Sequence, residues 1–289
     1  MRLVQEVPPL PEREPDTHKG TYGRVLLLAG SEGMTGAAIL AARAAYRAGA
    51  GLVTVGIERK LFSTISTAVP EAIFLDTGAL TGEAIAAKIE GFDAVVVGPG
   101  LGTGSASHAL ALGVLQHRSG PAVLDADALN IIAALPWTTA DRRPDRIWTP
   151  HPGEFARLTG EQPRGDEERL AAARRFLAAR GGVLVLKGHH TVVADGDRYG
   201  VNRTGNPGMA TAGAGDVLSG VIAAFLGQGL GPFEAARAAV HLHGRAGDLA
   251  AAALGEISLT AGDVIDYLPR AILEHPRATV PPVKGPLGP

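Results

Sequence analysis

Short apolar runs alternate with longer alanine-rich stretches from residue 24 to residue 273. An apolar run of about four to eight residues, closed by glycine or proline, is the pattern of a strand buried on both faces. Strands are expected at 24–29, 52–57, 72–75, 94–97, 122–124, 147–149 and 183–186. Helices are expected between them at 35–48, 81–90, 105–116, 128–135 and 166–180. Residues 191–194 and 198–201 flank Asp195, Gly196 and Asp197 and read as a β-hairpin. Helices at 215–225, 232–254 and 260–273 close the pattern. Parallel strands need crossovers, and helical crossovers cover both faces of a sheet. The expected architecture is an α/β three-layer αβα sandwich with a mainly parallel central sheet.

A chain of 289 residues has room for one large domain or two. No composition shift marks a linker before His275, so residues 1–275 read as a single domain and 276–289 as a flexible proline-rich tail. Hydrophobic residues make up 46% and charged residues 19%, which supports a core and excludes intrinsic disorder as the main state. The formal charge of -2 gives no global attraction for nucleic acid or acidic membranes. Without cysteine, disulfides, thiolate zinc sites and cysteine nucleophiles are excluded. No apolar run approaches the ~18 residues of a membrane helix. Residues 1–15 lack a signal-peptide core, so a soluble cytoplasmic protein is expected.

In such sheets ligands sit beyond the carboxyl ends of the strands, and several distinctive segments fall there. Gly98, Pro99, Gly100, Leu101, Gly102, Thr103 and Gly104 follow one strand and precede a helix. They fit either an anion-binding helix start or a tight strand-to-helix turn. Between Thr211 and Gly220 small residues run straight into a helix, leaving amides free to converge on a phosphate. Asp216 sits in that first turn. It reads as a helix-start carboxylate or as a base for a hydroxyl attacking a phosphoryl group; repulsion of a bound anion favours the base.

Lys187, Gly188, His189, His190 and Thr191 end a strand, as a phosphate-reaching lysine turn or a solvated turn. In Thr149–Pro150–His151–Pro152–Gly153–Glu154, Pro152 and Glu154 suit a first helical turn. His151 is not needed for that turn and is free to contact substrate. Asp127 reads as a helix N-cap, and Asp125 as a strand-end carboxylate near the cleft. His241 and His243, two apart on a helix, read as packing or hydrogen-bonding residues.

Together these segments resemble the ADP/ATP-dependent NAD(P)H-hydrate dehydratases of the ribokinase-like superfamily. Further matches lie at Gly30–Ser31, Gly36–Ala38 and Arg47–Leu52, and the resemblance spans roughly residues 19–266. The glycine–aspartate helix start marks the superfamily. The 149–154 segment, and Asn206–Met209 leading into 213–220, are specific to the dehydratases. Where the family usually has threonine between the two glycines, this chain has Ala214, as sugar-kinase relatives do.

The resemblance implies a nucleotide-driven lyase that repairs NADHX and NADPHX, the hydrated reduced cofactors, by dehydrating the S-form. ADP, or ATP, would be the co-substrate and Mg²⁺ the cofactor, with its protein ligands unassigned. The site residues it implies are Ala38, Gly102 and His151 for the hydrate; Lys187, Gly188, His189, His190, Thr191 and Gly215 for the nucleotide; and Asp216 for catalysis. The amides of Gly213, Ala214 and Gly215 would form the anion hole. A homo-oligomer, a tetramer in many relatives, is expected. Residues 1–19 are too short for the epimerase domain often fused to such proteins, so that partner activity is expected on another chain. A thiazole- or pyrimidine-alcohol kinase, which releases a stable phosphate ester, is the alternative enzyme. A non-catalytic nucleotide sensor would have no need of Asp216.

Overall fold

The computed structural model describes residues 1–78, 80, 82–136 and 142–278. In chain order its strands are β1 (Arg2–Leu3), β2 (Leu10–Pro11), β3 (Arg24–Leu28), β4 (Leu52–Ile57), β5 (Ile73–Asp76), β6 (Ala94–Val97), β7 (Ala122–Leu124), β8 (Arg146–Trp148), β9 (Val183–Leu186), β10 (Val192–Ala194), β11 (Arg198–Val201) and β12 (Arg277–Ala278). Its helices are α1 (Thr35–Arg47), α2 (Phe62–Ala68), α3 (Gly82–Ile89), α4 (Ser105–His117), α5 (Ala126–Ala133), α6 (Pro152–Thr159), α7 (Gly165–Arg180), α8 (Ala214–Gly227), α9 (Pro232–Leu254) and α10 (Ala261–Leu273). Each element expected from the sequence is present with ends within two residues of expectation. The expected start of α3 at Thr81 lies outside the described residues.

Among the described residues ten strands form one sheet, in the order β1-β11-β10-β9-β8-β7-β6-β3-β4-β5. Every pairing from β9 across to β5 is parallel. The β10–β11 hairpin adds antiparallel strands, as the Asp195–Asp197 turn chemistry predicts. The period-2 alternation of each strand then sorts the core into two layers. Val25, Leu27, Val96 and Ile147 pack with α1, α8, α9 and α10 on one face. Leu26, Leu28, Val97 and Trp148 pack with α3, α4, α5, α6 and α7 on the other. Leu26, Leu27 and Leu28 are fully buried, each worth about 1.5–3 kcal/mol of transfer free energy. The result is the expected αβα sandwich.

Helix α8 lies beneath β3, β6 and β7, pressed against α1. A Cβ on Gly220 would stand 2.2 Å from the Ala41 carbonyl oxygen, so glycine is required for that approach. The alanines in the first half of α9 are consumed by the same layer: Ala235, Ala236, Ala238 and Ala239 are fully buried, whereas Ala252 and Ala253 at its end are exposed.

The segment before β3 straps the molecule. Strand β1 pairs with β11, and β2 pairs with β12. His275 meets the Pro8 carbonyl through Nε2 at 2.9 Å. The expected tail therefore begins with two strand-paired residues, Arg277 and Ala278; residues 279–289 lie outside the described ones.

Candidate active site

The strand order reverses at β3, because β4 lies on one side of it and β6 on the other. In a doubly wound sheet the crevice opens at that reversal, beyond the carboxyl ends of the strands. The loops after β6, β7, β8 and β9 and the start of α8 meet at this edge.

Gly213 is the N-cap of α8, in the left-handed region at φ +89°, with no side chain capping the helix. The amides of the first turn have no intrahelical acceptor and form the positive end of the helix. Lys187 Nζ stands 3.3 Å from the position a Cβ on Gly215 would occupy. An ammonium group and a bare helix start thus adjoin each other, an arrangement that suits a phosphate.

Lys187 is anchored from behind. Its Nζ donates to Asp125 Oδ1 at 2.8 Å and lies 3.8 Å from Glu154 Oε2. The other oxygen of Asp125 accepts from Ser219 Oγ on α8 at 2.7 Å. Asp125, Ser219 and Glu154 are all buried. Burial works against the Lys187 ammonium, but Asp125, Glu154 and Asp216 outweigh it and hold the lysine above its ordinary range.

Asp216 occupies the third position of α8, half-buried, and accepts no hydrogen bond from the first turn. It is the acidic residue of that turn, so a favourable interaction with the helix dipole stands beside any catalytic role. Burial, reinforced by the Asp125 carboxylate and opposed by Lys187, pushes its pKa up to about 7. A carboxyl with that pKa is a competent base at neutral pH.

His151 corrects the sequence reading, because it is itself the N-cap of α6. Its Nδ1 accepts from the amides of Gly153 at 3.0 Å and Glu154 at 3.3 Å, and Glu154 Oε2 accepts from the His151 amide at 2.8 Å. This is a capping box in which imidazole replaces the usual hydroxyl. Half of the side chain remains exposed at the cleft edge.

The N-cap assigned to Asp127 is also corrected. Asp125 precedes α5 in the capping position, but its carboxylate is diverted to Lys187 and Ser219. Asp127 instead accepts from the Gly102 amide at 2.8 Å and from Asn130 at 3.3 Å. The 98–104 loop spends further amides internally, Gly98 on Leu28 and Leu101 on Gly98, so it is built as a tight turn. Ala38 is fully buried in α1, beneath the turn at Gly30.

In the 187–191 turn the rings of His189 and His190 stack at 3.9 Å, and Thr191 Oγ1 donates to the Gly188 carbonyl at 3.0 Å. His243 points at the first turn of α8. Burial holds its ring neutral, at a pKa of about 4, despite an interaction with the Ala214 backbone. His241 faces elsewhere, toward His275. Sequence reasoning missed Ser219 and Glu154 as partners of Asp125 and Lys187; Glu154 was visible only as a helix-start acid.

Residues 25–270 match the family described as NAD(P)H-hydrate dehydratase. A bifunctional NAD(P)H-hydrate repair enzyme of Moorella thermoacetica is 45% identical over 272 residues, covering 90% of this chain and 51% of the relative. An ADP-dependent (S)-NAD(P)H-hydrate dehydratase of Neisseria meningitidis is 43% identical over 262 residues, covering 87% and 86%. A solved Bacillus subtilis structure, an ADP/ATP-dependent NAD(P)H-hydrate dehydratase co-crystallised with ATP/Mg²⁺, superposes with a TM-score of 0.79. It is 35% identical and covers 91% of this chain and 93% of that one. The chain spans about half the length of the bifunctional relatives it matches. With the sheet order, the α8 helix start and this similarity in place, the chain belongs to the NAD(P)H-hydrate dehydratase family of ribokinase-like fold.

Proposed function

We propose that this protein uses ADP, or ATP, to dehydrate the S-form of NADHX and NADPHX, restoring NADH and NADPH with release of phosphate. The observation that carries the reading is Asp216, a carboxyl with a pKa of about 7, in the same helix turn as Gly215 and beside Lys187. Asp216 takes the proton from the hydrate hydroxyl as its oxygen attacks the terminal phosphorus. The bond from that phosphorus to the bridging oxygen of the nucleotide breaks, giving AMP from ADP or ADP from ATP. The first-turn amides of α8, from Gly213 to Gly215, and Lys187 hold the transferring phosphoryl group. Phosphate then leaves from the ring carbon, pushed by the ring-nitrogen lone pair, and the iminium so formed gives up a proton from the neighbouring ring carbon to water, which restores the ring double bond.

Among the described residues no three His, Cys, Asp or Glu side chains are grouped to hold a metal ion. Asp125, Asp216 and Glu154 nevertheless outnumber the Lys187 ammonium here. That surplus suits a Mg²⁺ ion carried by the nucleotide phosphates and water, where it would neutralise phosphate charge.

His151 and Gly102 are assigned to the hydrate, together with Ala38, which is buried under Gly30, and the 187–191 turn to the nucleotide. The functional partner is an NAD(P)H-hydrate epimerase that supplies the S-form. No helix among the described residues is long and apolar enough to cross a membrane, and the reading places the protein in the cytoplasm. Exposed Ile257, Leu254 and Leu273 support assembly into a homo-oligomer, a tetramer by this reading.

The test is incubation of authentic hydrate with ADP or ATP, following recovery of reduced-nicotinamide absorbance. Accumulation of a stable phosphate ester, with no recovery, would move the protein to the kinase class.

A further inference from the structure

The turn after β9 is gripped by a side chain from α7. Arg169 is buried, and its partners are main-chain carbonyls. Nη1 donates to His189 O at 2.7 Å and His190 O at 3.0 Å. Nη2 donates to Leu186 O at 2.7 Å and Lys187 O at 3.2 Å. One planar fork therefore fixes four of the carbonyls around this turn.

Peptide planarity gives that grip a second consequence. A carbonyl drawn to one side sends the next N–H to the other. The amides of Gly188, His190 and Thr191 therefore face away from the guanidinium. The Lys187 amide is tied separately to Pro150 O at 2.9 Å. Gly188 at φ +138° and His190 at φ +56° are in the left-handed region. A non-glycine residue there needs outside support. Successive amides on one side of such a turn make an anion-binding concavity, and the buried guanidinium adds positive charge behind it.

We propose that Arg169 is a positioning residue for nucleotide binding. It fixes the 187–191 turn so that the amides of Gly188, His190 and Thr191 face the nucleotide phosphates. The proposal rests on the dehydratase reading for the identity of the ligand.

The test compares Arg169→Lys with Arg146→Lys as a control. Arg146 is fully buried and likewise donates to carbonyls, those of Gly120, Val114, Leu115 and Arg118, away from the site. Lysine keeps the charge but loses the fork. ADP and ATP binding is measured by calorimetry, and KM and kcat with hydrate on the same preparations. Arg169→Lys is expected to raise nucleotide Kd and KM roughly 10–100-fold, the scale for losing hydrogen bonds to a charged donor. The kcat at saturating nucleotide and the KM for hydrate should stay within about threefold. Arg146→Lys should lower Tm and leave nucleotide affinity unchanged. If Arg169→Lys does not fold, Arg169→Gln, which keeps a planar two-hydrogen donor for part of these carbonyls, is measured in its place, and a similar affinity loss is expected. Unchanged nucleotide affinity in the folded variant, or equal losses in the Arg169 and Arg146 variants, overturns the proposal. Wild-type protein that binds neither nucleotide overturns the functional reading as well.

Discussion

Lys187 Nζ and Asp125 Oδ1 stand 2.8 Å apart across 62 residues of sequence. The contact joins the loop after β9 to the loop after β7, and through Ser219 to the start of α8. It gives Lys187 a fixed, buried counter-charge. Removing Lys187 would leave Asp125 buried and uncompensated. Lys187→Met should therefore cost about 3–5 kcal/mol in urea unfolding, the range for breaking a buried pair. Adding Asp125→Asn should recover part of that loss; a strictly additive double variant would show that the pair is not coupled.

Asp216→Asn preserves shape and removes basicity. Turnover of hydrate should fall about 10²–10⁴-fold, the usual contribution of a general base. Nucleotide affinity should hold or improve, because a negative charge beside the bound anion is lost. Calorimetry and turnover on the same sample check both; a variant keeping more than about a tenth of wild-type turnover contradicts the mechanism.

The pKa of about 7 at Asp216 also sets a pH dependence. The base works deprotonated, so kcat/KM should rise with pH through a limb near 7. Asp125→Asn removes a raising influence, and the limb should move to lower pH. Stability follows the opposite course. The folded pKa is raised, so the folded protein binds the extra proton between the ordinary carboxyl range and about 7, and stability from this group is lost as pH rises through that window. The Tm of Asp216→Asn should therefore gain on wild type between about pH 4.5 and pH 8; a constant difference would show that Asp216 titrates normally.

His151 caps α6, and the proposed contact with the hydrate separates from that role by measurement. His151→Ala removes the capping box and should cost about 1 kcal/mol of stability. If the exposed half of the ring meets the hydrate, KM for hydrate should rise while nucleotide Kd stays the same. His151→Asn restores a capping acceptor, so it should recover stability but not the hydrate KM.

The oligomer prediction rests on Leu254, Ile257 and Leu273, all exposed near the ends of α9 and α10. Light scattering at micromolar concentration should give a multiple of 29.6 kDa. A monomer mass would rule out the tetramer.

Strands β3, β4, β6 and β9 were readable because both faces are buried, so their sequences are almost wholly apolar, with only Arg24 at the open end of β3 and Thr54 in β4 as exceptions. Strands β1, β2 and β12, two residues each, exist only through their partners and leave no periodic trace. Helix α2 was missed because Phe62–Ala68 is short and rich in serine and threonine. The glycines before Asp216 marked the start of α8, which opens at Gly213 without a side-chain cap. The cap reading of Asp127 failed because Asp125, not Asp127, holds the capping position, and its side chain prefers partners from β9 and α8 that no local pattern shows. Arg169 had no signal either, since an arginine in a helix containing Asp166, Glu167 and Glu168 reads as solvated.

The two-residue strand β1 occupies the flank of β11, with Arg2 opposite Arg198 and Leu3 opposite Tyr199. An uncovered β11 would offer a row of free amide and carbonyl groups to any extended chain. With β1 in place, Arg198 and Tyr199 are covered, and the strand outside them is only two residues long and carries the charge of Arg2. Loss of the first four residues would bare this border of β11 while removing none of the residues assigned to the site. A segment remote from the candidate site thus guards one border of the sheet against extended chains.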